Sequence, residues 1–415
     1  MTHPVSHGHD SVVPRPAPRA GRRRPWVLVH RWLGIGLGAW FALVGLTGAI
    51  LVYEDLVDAF LNPQLLHDPR TGPWLPPHEI LARAEDEFPL GHIERIRPPA
   101  APGEVYRVLV RVAPHMRVES DRVEATFSPA TGELLGKREA EEVGFSRPYL
   151  LKLLYEFHRN VLLGYPGSNI VGIAGFLLLA SAVSGFVVAA PRTRSGWRRV
   201  VGVKVRAGAT RVLFDVHRSL GTILAVLLVL ATVTGSTLVY LNYARDLVSL
   251  FSKVAPFPTV PWRGSADAEW PPFETIVATV TRAHPRHAIA EIHVPSKPTA
   301  GYLFYLRGPG DVHRLGDTMV WVHPGTGELL LERSPRTRTG GETVMHWLFP
   351  LHSGTAFGAA GRIAMCLTGA APLVLVFTGL WVWLRKRRAA KFELARRDQA
   401  RTGPHPGPRL LRTTQ

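Results

Sequence analysis

Four histidines in this chain are placed to do chemistry, and they fall into two matched pairs. His30 opens His-Arg-Trp-Leu-Gly and His217 opens His-Arg-Ser-Leu-Gly, two and three residues before apolar runs. His158 and His352 lie twelve and eleven residues before two further apolar runs. Two neutral imidazoles facing each other in an apolar setting can supply both axial ligands of a b-type haem. Burial favours the neutral, ligating form of the ring. Arg31, Arg159, Arg218 and Arg362 stand where a guanidinium could pair with a haem propionate. His346, six residues before His352, is the alternative ligand for its pair. A lone histidine at such an edge is more often satisfied by water or headgroups. Pairing is what singles these four out.

The elements that would position them are four charge-free runs, Trp32–Tyr53, Ile170–Ala190, Leu220–Tyr240 and Ile363–Leu384. Each is 21 or 22 residues long, and about 20 apolar residues suffice to span a bilayer as a helix. Four transmembrane helices are therefore expected. Charge orients them. The whole chain of 415 residues carries a net +17, yet segments 1–25, 191–211 and 385–415 together carry +19. The rest is net −2, so the basic charge is confined to three segments that the positive-inside rule puts in the cytoplasm. Both termini are then inside, and 54–169 and 241–362 outside. Such confinement removes the nucleic-acid reading that a basic chain otherwise invites, and leaves contact with anionic membrane lipid. The first span reads as an uncleaved signal anchor.

The chain is also two copies of one pattern. His30-Arg31, Leu33-Gly34, Thr47-Gly48 and Tyr53 recur 187 residues later as His217-Arg218, Leu220-Gly221, Thr234-Gly235 and Tyr240. His158, Gly164, Gly167, Gly175 and Gly185 recur 194 residues later as His352, Gly358, Gly361, Gly369 and Gly379. Lys152 is the counterpart of His346, so symmetry prefers His352 as the ligand. Outside the spans, Ser128-Pro-Ala-Thr-Gly-Glu-Leu-Leu135 matches His323-Pro-Gly-Thr-Gly-Glu-Leu-Leu330. Each follows a β-rich run and reads as a hairpin turn with glycine in a left-handed position. Helical stretches at His78–Phe88 and Pro272–Ala283 precede them. An even number of spans per copy makes the copies parallel, related by an axis along the membrane normal. His30 then faces His217 near the inner surface, and His158 faces His352 near the outer one. Gly34, Gly38, Gly48, Gly175 and Gly235 are expected to let a flat macrocycle approach the helices. Gly164-Tyr-Pro166-Gly167 is expected to break the helix after His158, leaving it on a short entry helix.

The fold expected is a membrane four-helix bundle of two parallel repeats carrying two small extracytoplasmic α+β domains. Its segments are a basic tail (1–25), a first span (26–53), a first outside domain (54–145), and an entry helix with the second span (146–190). A basic loop (191–211), a third span (212–241) and a second outside domain (242–344) follow. An entry segment with the fourth span (345–384) and a basic tail (385–415) complete the chain.

One cysteine, Cys366, excludes internal disulfides and cysteine-based iron–sulfur or zinc sites. Gly34-Ile-Gly36-Leu-Gly38 lies within an apolar run with no strand before it, so it does not read as a dinucleotide loop. Without a nicotinamide or flavin fingerprint, reducing equivalents would come from a cytoplasmic partner or membrane quinol.

The ordered set of motifs resembles the PepSY-associated transmembrane proteins, a family that includes iron-regulated inner-membrane proteins and ferric-siderophore reductases. The resemblance rests on the two His-Arg-x-Leu-Gly openings, Phe157-His-Arg-Asn-Val-Leu-Leu-Gly164, Leu351-His-Ser-Gly followed by Phe357-Gly, and the two Pro-x-Thr-Gly-Glu turns, and spans about residues 26–388. It implies two periplasmic PepSY domains on a four-helix core in the bacterial inner membrane. For the reductase branch it implies two haems on transmembrane histidines, here His30, His158, His217 and His352, carrying electrons to a ferric siderophore or another external acceptor. The alternative is a non-catalytic membrane protein whose PepSY domains bind a periplasmic protein or peptide, as a regulator or protease inhibitor.

Overall fold

A computed structural model describes residues 23–112, 121–255, 271–295 and 301–402. The basic segments 1–22 and 403–415 lie outside the described residues, and so does part of each outside domain. In the first half the elements are α1 (Arg24–Leu51), α2 (Glu54–Leu61), α3 (Pro63–Leu66), α4 (Pro77–Glu87), β1 (His92–Arg97), β2 (Tyr106–Arg111), β3 (Arg122–Phe127), β4 (Leu134–Glu139), α5 (Arg147–Asn160) and α6 (Gly164–Ala189). After a short helix α7 (Trp197–Val201) come α8 (Ala209–Ile223), α9 (Ala225–Val239), α10 (Leu241–Ser249), α11 (Phe273–Ala283), β5 (Ala288–His293), β6 (Tyr302–Arg307), β7 (Thr318–Val322), β8 (Leu329–Arg333), α12 (Gly340–Ser353) and α13 (Gly358–Thr402).

Three helices, α1, α6 and α13, are long and apolar enough to cross a membrane, and α8 with α9 makes a fourth if the pair is one span. That pair bends by 57°. Thr222, two residues before the break at Leu224, donates its hydroxyl to the Arg218 carbonyl at 2.7 Å, a back-bond of the kind that bends helices. α1 packs on α6 and α13, α6 on α9, and α8 on α13. Where α1 crosses α13, Gly45 and Gly369 lie back to back, and a side chain on either would strike the other helix's backbone. The helix after His158 breaks earlier than expected. α5 ends at Asn160, residues 161–163 make the turn, and Gly164–Gly167 forms the first turn of α6. Pro166 sits at the helix start, where a missing N–H costs nothing. His158 does lie on a separate entry helix.

The strands of both halves form one antiparallel sheet in the order β4-β3-β2-β1-β5-β6-β7-β8. The two small α+β units expected from the sequence thus contribute four strands each and are joined edge to edge, with Ile96 opposite Ile292 and Arg95 opposite His293. Gly132 (φ 70°) and Gly327 (φ 71°) take the left-handed conformation at the tips of the matched β3–β4 and β7–β8 hairpins. One sheet face packs on α4 and α11 in a single core, with Ile80, Ile96, Val108, Ile276, Ile292 and Phe304 fully buried.

The opposite face carries charge that ties the sheet to the membrane helices. Arg107 and Arg138 each donate to Glu124 at 2.7 Å. Arg138 also grips Asp58 of α2 at 2.9 and 2.7 Å, and Asn62 donates to the same carboxylate at 2.8 Å. Burial raises the Glu124 carboxyl, but Arg107 and Arg138 outweigh it and hold the group at about 2. A carboxyl held low in the folded state stabilises the fold above its ordinary range, and that stability is lost as pH falls toward about 2.

Two outcomes follow. Glu124→Gln leaves two half-buried guanidiniums short of a partner and should cost about 1–3 kcal/mol. It should also flatten the acid limb of the unfolding midpoint against pH, measured by thermal denaturation in detergent. Ile96→Ala and Ile292→Ala should each cost about 2–5 kcal/mol. Because the two side chains share the seam, the double variant should depart from additivity.

Candidate functional site

The structure brings together both histidine pairs. The rings of His30 and His217 lie 6.0 Å apart between centroids, and those of His158 and His352 lie 6.2 Å apart. All four are half-buried and reach across to a neighbouring helix. The Nδ1 of His30 bonds the Ser181 carbonyl at 2.9 Å, His158 the Val44 carbonyl at 2.9 Å, His217 the Leu375 carbonyl at 2.9 Å and His352 the Ala231 carbonyl at 3.1 Å.

Each carbonyl lies four residues before a glycine, and each ring rests on that glycine. A Cβ at Gly185, Gly48 or Gly235 would come within 2.7 Å, 2.7 Å and 2.8 Å of Cε1 of His30, His158 and His352, and at Gly379 within 3.0 Å of Cε1 of His217. The geometry has a simple cause. In a helix the carbonyl of residue i−4 already accepts from the N–H of residue i, and its second lone pair is shielded by the side chain there. Glycine removes that side chain and admits the imidazole. A hydroxyl residue precedes every one of these glycines: Thr47, Ser184, Thr234 and Thr378, all buried. Each donates to the same carbonyl, at 2.9, 3.0, 3.2 and 3.2 Å. Three also stand 3.1 to 3.3 Å from Nδ1.

A carbonyl only accepts, so Nδ1 must carry the proton and Nε2 keeps its lone pair. No described residue bonds Nε2 of any of the four. Each pair therefore carries two Nε2 lone pairs, on rings whose centroids lie 6.0 and 6.2 Å apart. A porphyrin supplies its own four nitrogens and needs only such a pair from the protein. Among the described residues no group of three or more His, Cys, Asp or Glu gathers as a metal site. The donor set and the fixed tautomers fit a bis-imidazole haem.

The glycines have more specific tasks than the admission of a macrocycle expected from sequence. Gly48 and Gly235 seat histidines, Gly175 makes room for Ser236 between α6 and α9, Gly38 touches Val376, and Gly34 faces open space. The Ser/Thr-Gly seats themselves went unrecognised, although Thr47-Gly48 and Thr234-Gly235 were visible as repeats.

The four arginines occupy different settings. Arg31 Nε is buried without a hydrogen-bond partner, one residue from His30. Arg218 holds the carbonyls of Val200 and Gly202 at 3.0 and 3.1 Å and the Asp215 carboxylate at 2.9 Å. Arg362 donates to the Val52 carbonyl at 2.8 Å and lies over the Tyr53 ring. Arg159 is exposed beside Glu156.

His346 stands apart from the His158–His352 pair. Its Nε2 lies 2.7 Å from Asp317 Oδ1, and its ring is 5.4 Å from that of His313. Burial raises the Asp317 carboxyl, but hydrogen bonds from His346 and from the Val312 and His313 N–H groups pull it down to about 2. Burial, then the neighbouring His346, lowers His313 to about 4. His346 thus latches α12 to the sheet, and His352 is the residue that meets His158.

The family described as PepSY-associated TM region matches residues 27–386. This chain belongs to that family. It is a multi-pass membrane protein on the strength of that match and its three or four apolar helices. No curated protein shows a significant match to the chain.

Gly48→Val and Gly235→Val should push His158 and His352, respectively, off their carbonyls. In a preparation that carries haem, the haem-to-protein absorbance ratio should fall in each variant. Gly36→Val, where nothing lies within 4 Å, should leave the ratio unchanged.

Proposed function

We propose that this protein is a bacterial inner-membrane oxidoreductase that holds two b-type haems and passes electrons across the membrane to an extracytoplasmic acceptor, a ferric siderophore being the favoured one. The supporting observation is the fourfold histidine seat, in which two pairs of imidazoles meet with Nε2 free and tautomers fixed. In this reading His30 and His217 hold the inner haem, and His158 and His352 the outer one. When bound, such a group supplies one-electron redox chemistry at iron.

The chain's own residues do the rest. The carbonyls of Ser181, Val44, Leu375 and Ala231 hold the Nδ1 protons, which orients each ring and raises its basicity as a ligand. Arg31, with its buried unpartnered Nε, provides a charged donor for a propionate at the inner pair. α8 and α9 form one bent span, completing a four-helix bundle of two parallel repeats. Both termini lie in the cytoplasm with the basic segments against anionic lipid, and the sheet lies in the periplasm. Electrons enter from a cytoplasmic donor or membrane quinol. Reduction of a ferric chelate to the ferrous state weakens the grip of hard oxygen ligands on the metal, which releases the iron.

The visible spectrum of the purified protein, before and after dithionite, is the test. The expected result is a b-type haem spectrum, with His30→Ala and His352→Ala each losing one of two haem equivalents and His346→Asn losing none. A colourless protein from cells supplied with haem overturns the proposal.

A further inference from the structure

A cleft of about 460 Å³ opens on the back of α5, between that helix and the end of β4. Lys152, Glu156 and Asn160 line it at four-residue spacing, so they share one helix face. His158 lies two residues from both Glu156 and Asn160, which turns it to the opposite face and onto Gly48. The cleft and the outer histidine pair are therefore separated by the thickness of one helix, about 10 Å.

Charge in the cleft is organised around one carboxylate. Glu156 takes Lys152 at 3.0 Å, Arg159 at 3.6 Å and the Asn160 amide at 2.5 Å. Lys152 and Arg159 also flank the Tyr155 ring at 5.8 and 5.5 Å. The other acid on the wall, Glu141, is paired with Arg122 at 2.7 Å. Lys152 and Arg159 thus share the single carboxylate of Glu156, while Glu141 turns to Arg122.

The lip of the cleft is strained. Val161 (φ 48°) and Leu162 (φ 64°) are successive left-handed residues with side chains, a conformation that costs each of them backbone strain. The buried Asn160 holds them there by accepting from the Leu162 N–H at 2.9 Å. In the second half α12 ends on Gly354 (φ 80°), which adopts the left-handed turn without that cost. The positions matching Lys152, Glu156 and Arg159 are His346, Pro350 and Ser353. Only the first half keeps the strain and the charged cleft.

We infer that this cleft is the docking site for the electron acceptor, and that it takes an anionic, oxygen-rich iron(III) chelate through Lys152 and Arg159. Its use rests on the oxidoreductase reading above, but its binding can be measured without any electron transfer. Gallium(III) citrate serves as the probe, because gallium(III) matches the ferric ion in charge and is not reduced. Titrated into the full-length protein in lipid nanodiscs and followed by calorimetry, it should bind saturably and more weakly as salt rises. Lys152→Gln and Arg159→Gln should each weaken binding about tenfold, equivalent to about 1.4 kcal/mol. Lys152→Arg should restore binding to within about threefold of the parent, with the haem spectrum of Lys152→Gln unchanged as the check on folding. Absence of saturable binding, equal affinity in Lys152→Gln, or equal affinity for metal-free citrate overturns the site. A colourless protein that still binds gallium citrate overturns the haem reading and leaves the cleft standing.

Discussion

Everything at the centre of this protein depends on a helix carbonyl that accepts from a neighbouring helix as well as from its own. Its own helix supplies the N–H four residues on and the Ser/Thr hydroxyl three residues on, and the neighbouring helix supplies an imidazole. The arrangement requires a missing side chain above the carbonyl, and the chain meets that requirement four times with Ser/Thr-Gly. Helix packing, ring orientation and tautomer are set by the same contact. Moving any of the four helices lengthens a buried hydrogen bond, so the histidines are held by the fold rather than by whatever they bind.

The sheet completes this constraint from the other side. α2 leaves the end of α1 and is caught by Arg138 through Asp58, and α12 is caught by Asp317 through His346. Each histidine-bearing entry helix is thus flanked by an attachment to the sheet. The two attachments differ in chemistry, a buried carboxylate–guanidinium network in the first half and a carboxylate–imidazole latch in the second. Halves that share a backbone plan have diverged in the side chains that fasten it, and the open cleft on α5 belongs to that divergence.

Much of this was legible in the sequence because repetition carries spatial information that periodicity lacks. Four apolar runs, the hairpin glycines at Gly132 and Gly327, and both histidine pairings follow from matching the chain to itself. Choosing His352 over His346 needed only the observation that Lys152 sits at the matching position. Three features were not legible. The break after α5 was placed at Gly164–Gly167 because glycine and proline punctuate chains, whereas the buried Asn160 imposes it on Val161 and Leu162. Joining of the sheet through β1 and β5 depends on a register that alternating hydrophobicity does not specify. The seats were hidden because a glycine in an apolar helix reads as a packing residue, and nothing local says that a histidine more than a hundred positions away will rest on it.

The seam between β1 and β5 pairs Ile96 with Ile292, and the neighbouring pair, Arg95 with His293, keeps the same centre. Ile96 and Ile292 are each the fifth residue of a six-residue strand, so the strand meets its own image. Such self-complementary register is what a symmetric dimer uses at its axis. A half-length chain ending before α8 would present β1 as a bare strand edge and leave each of its histidines without a partner. Both defects are cured by the same act of association, pairing with a second copy of itself. The two halves thus meet across the seam as the subunits of such a dimer would, joined by the basic loop between α6 and α8.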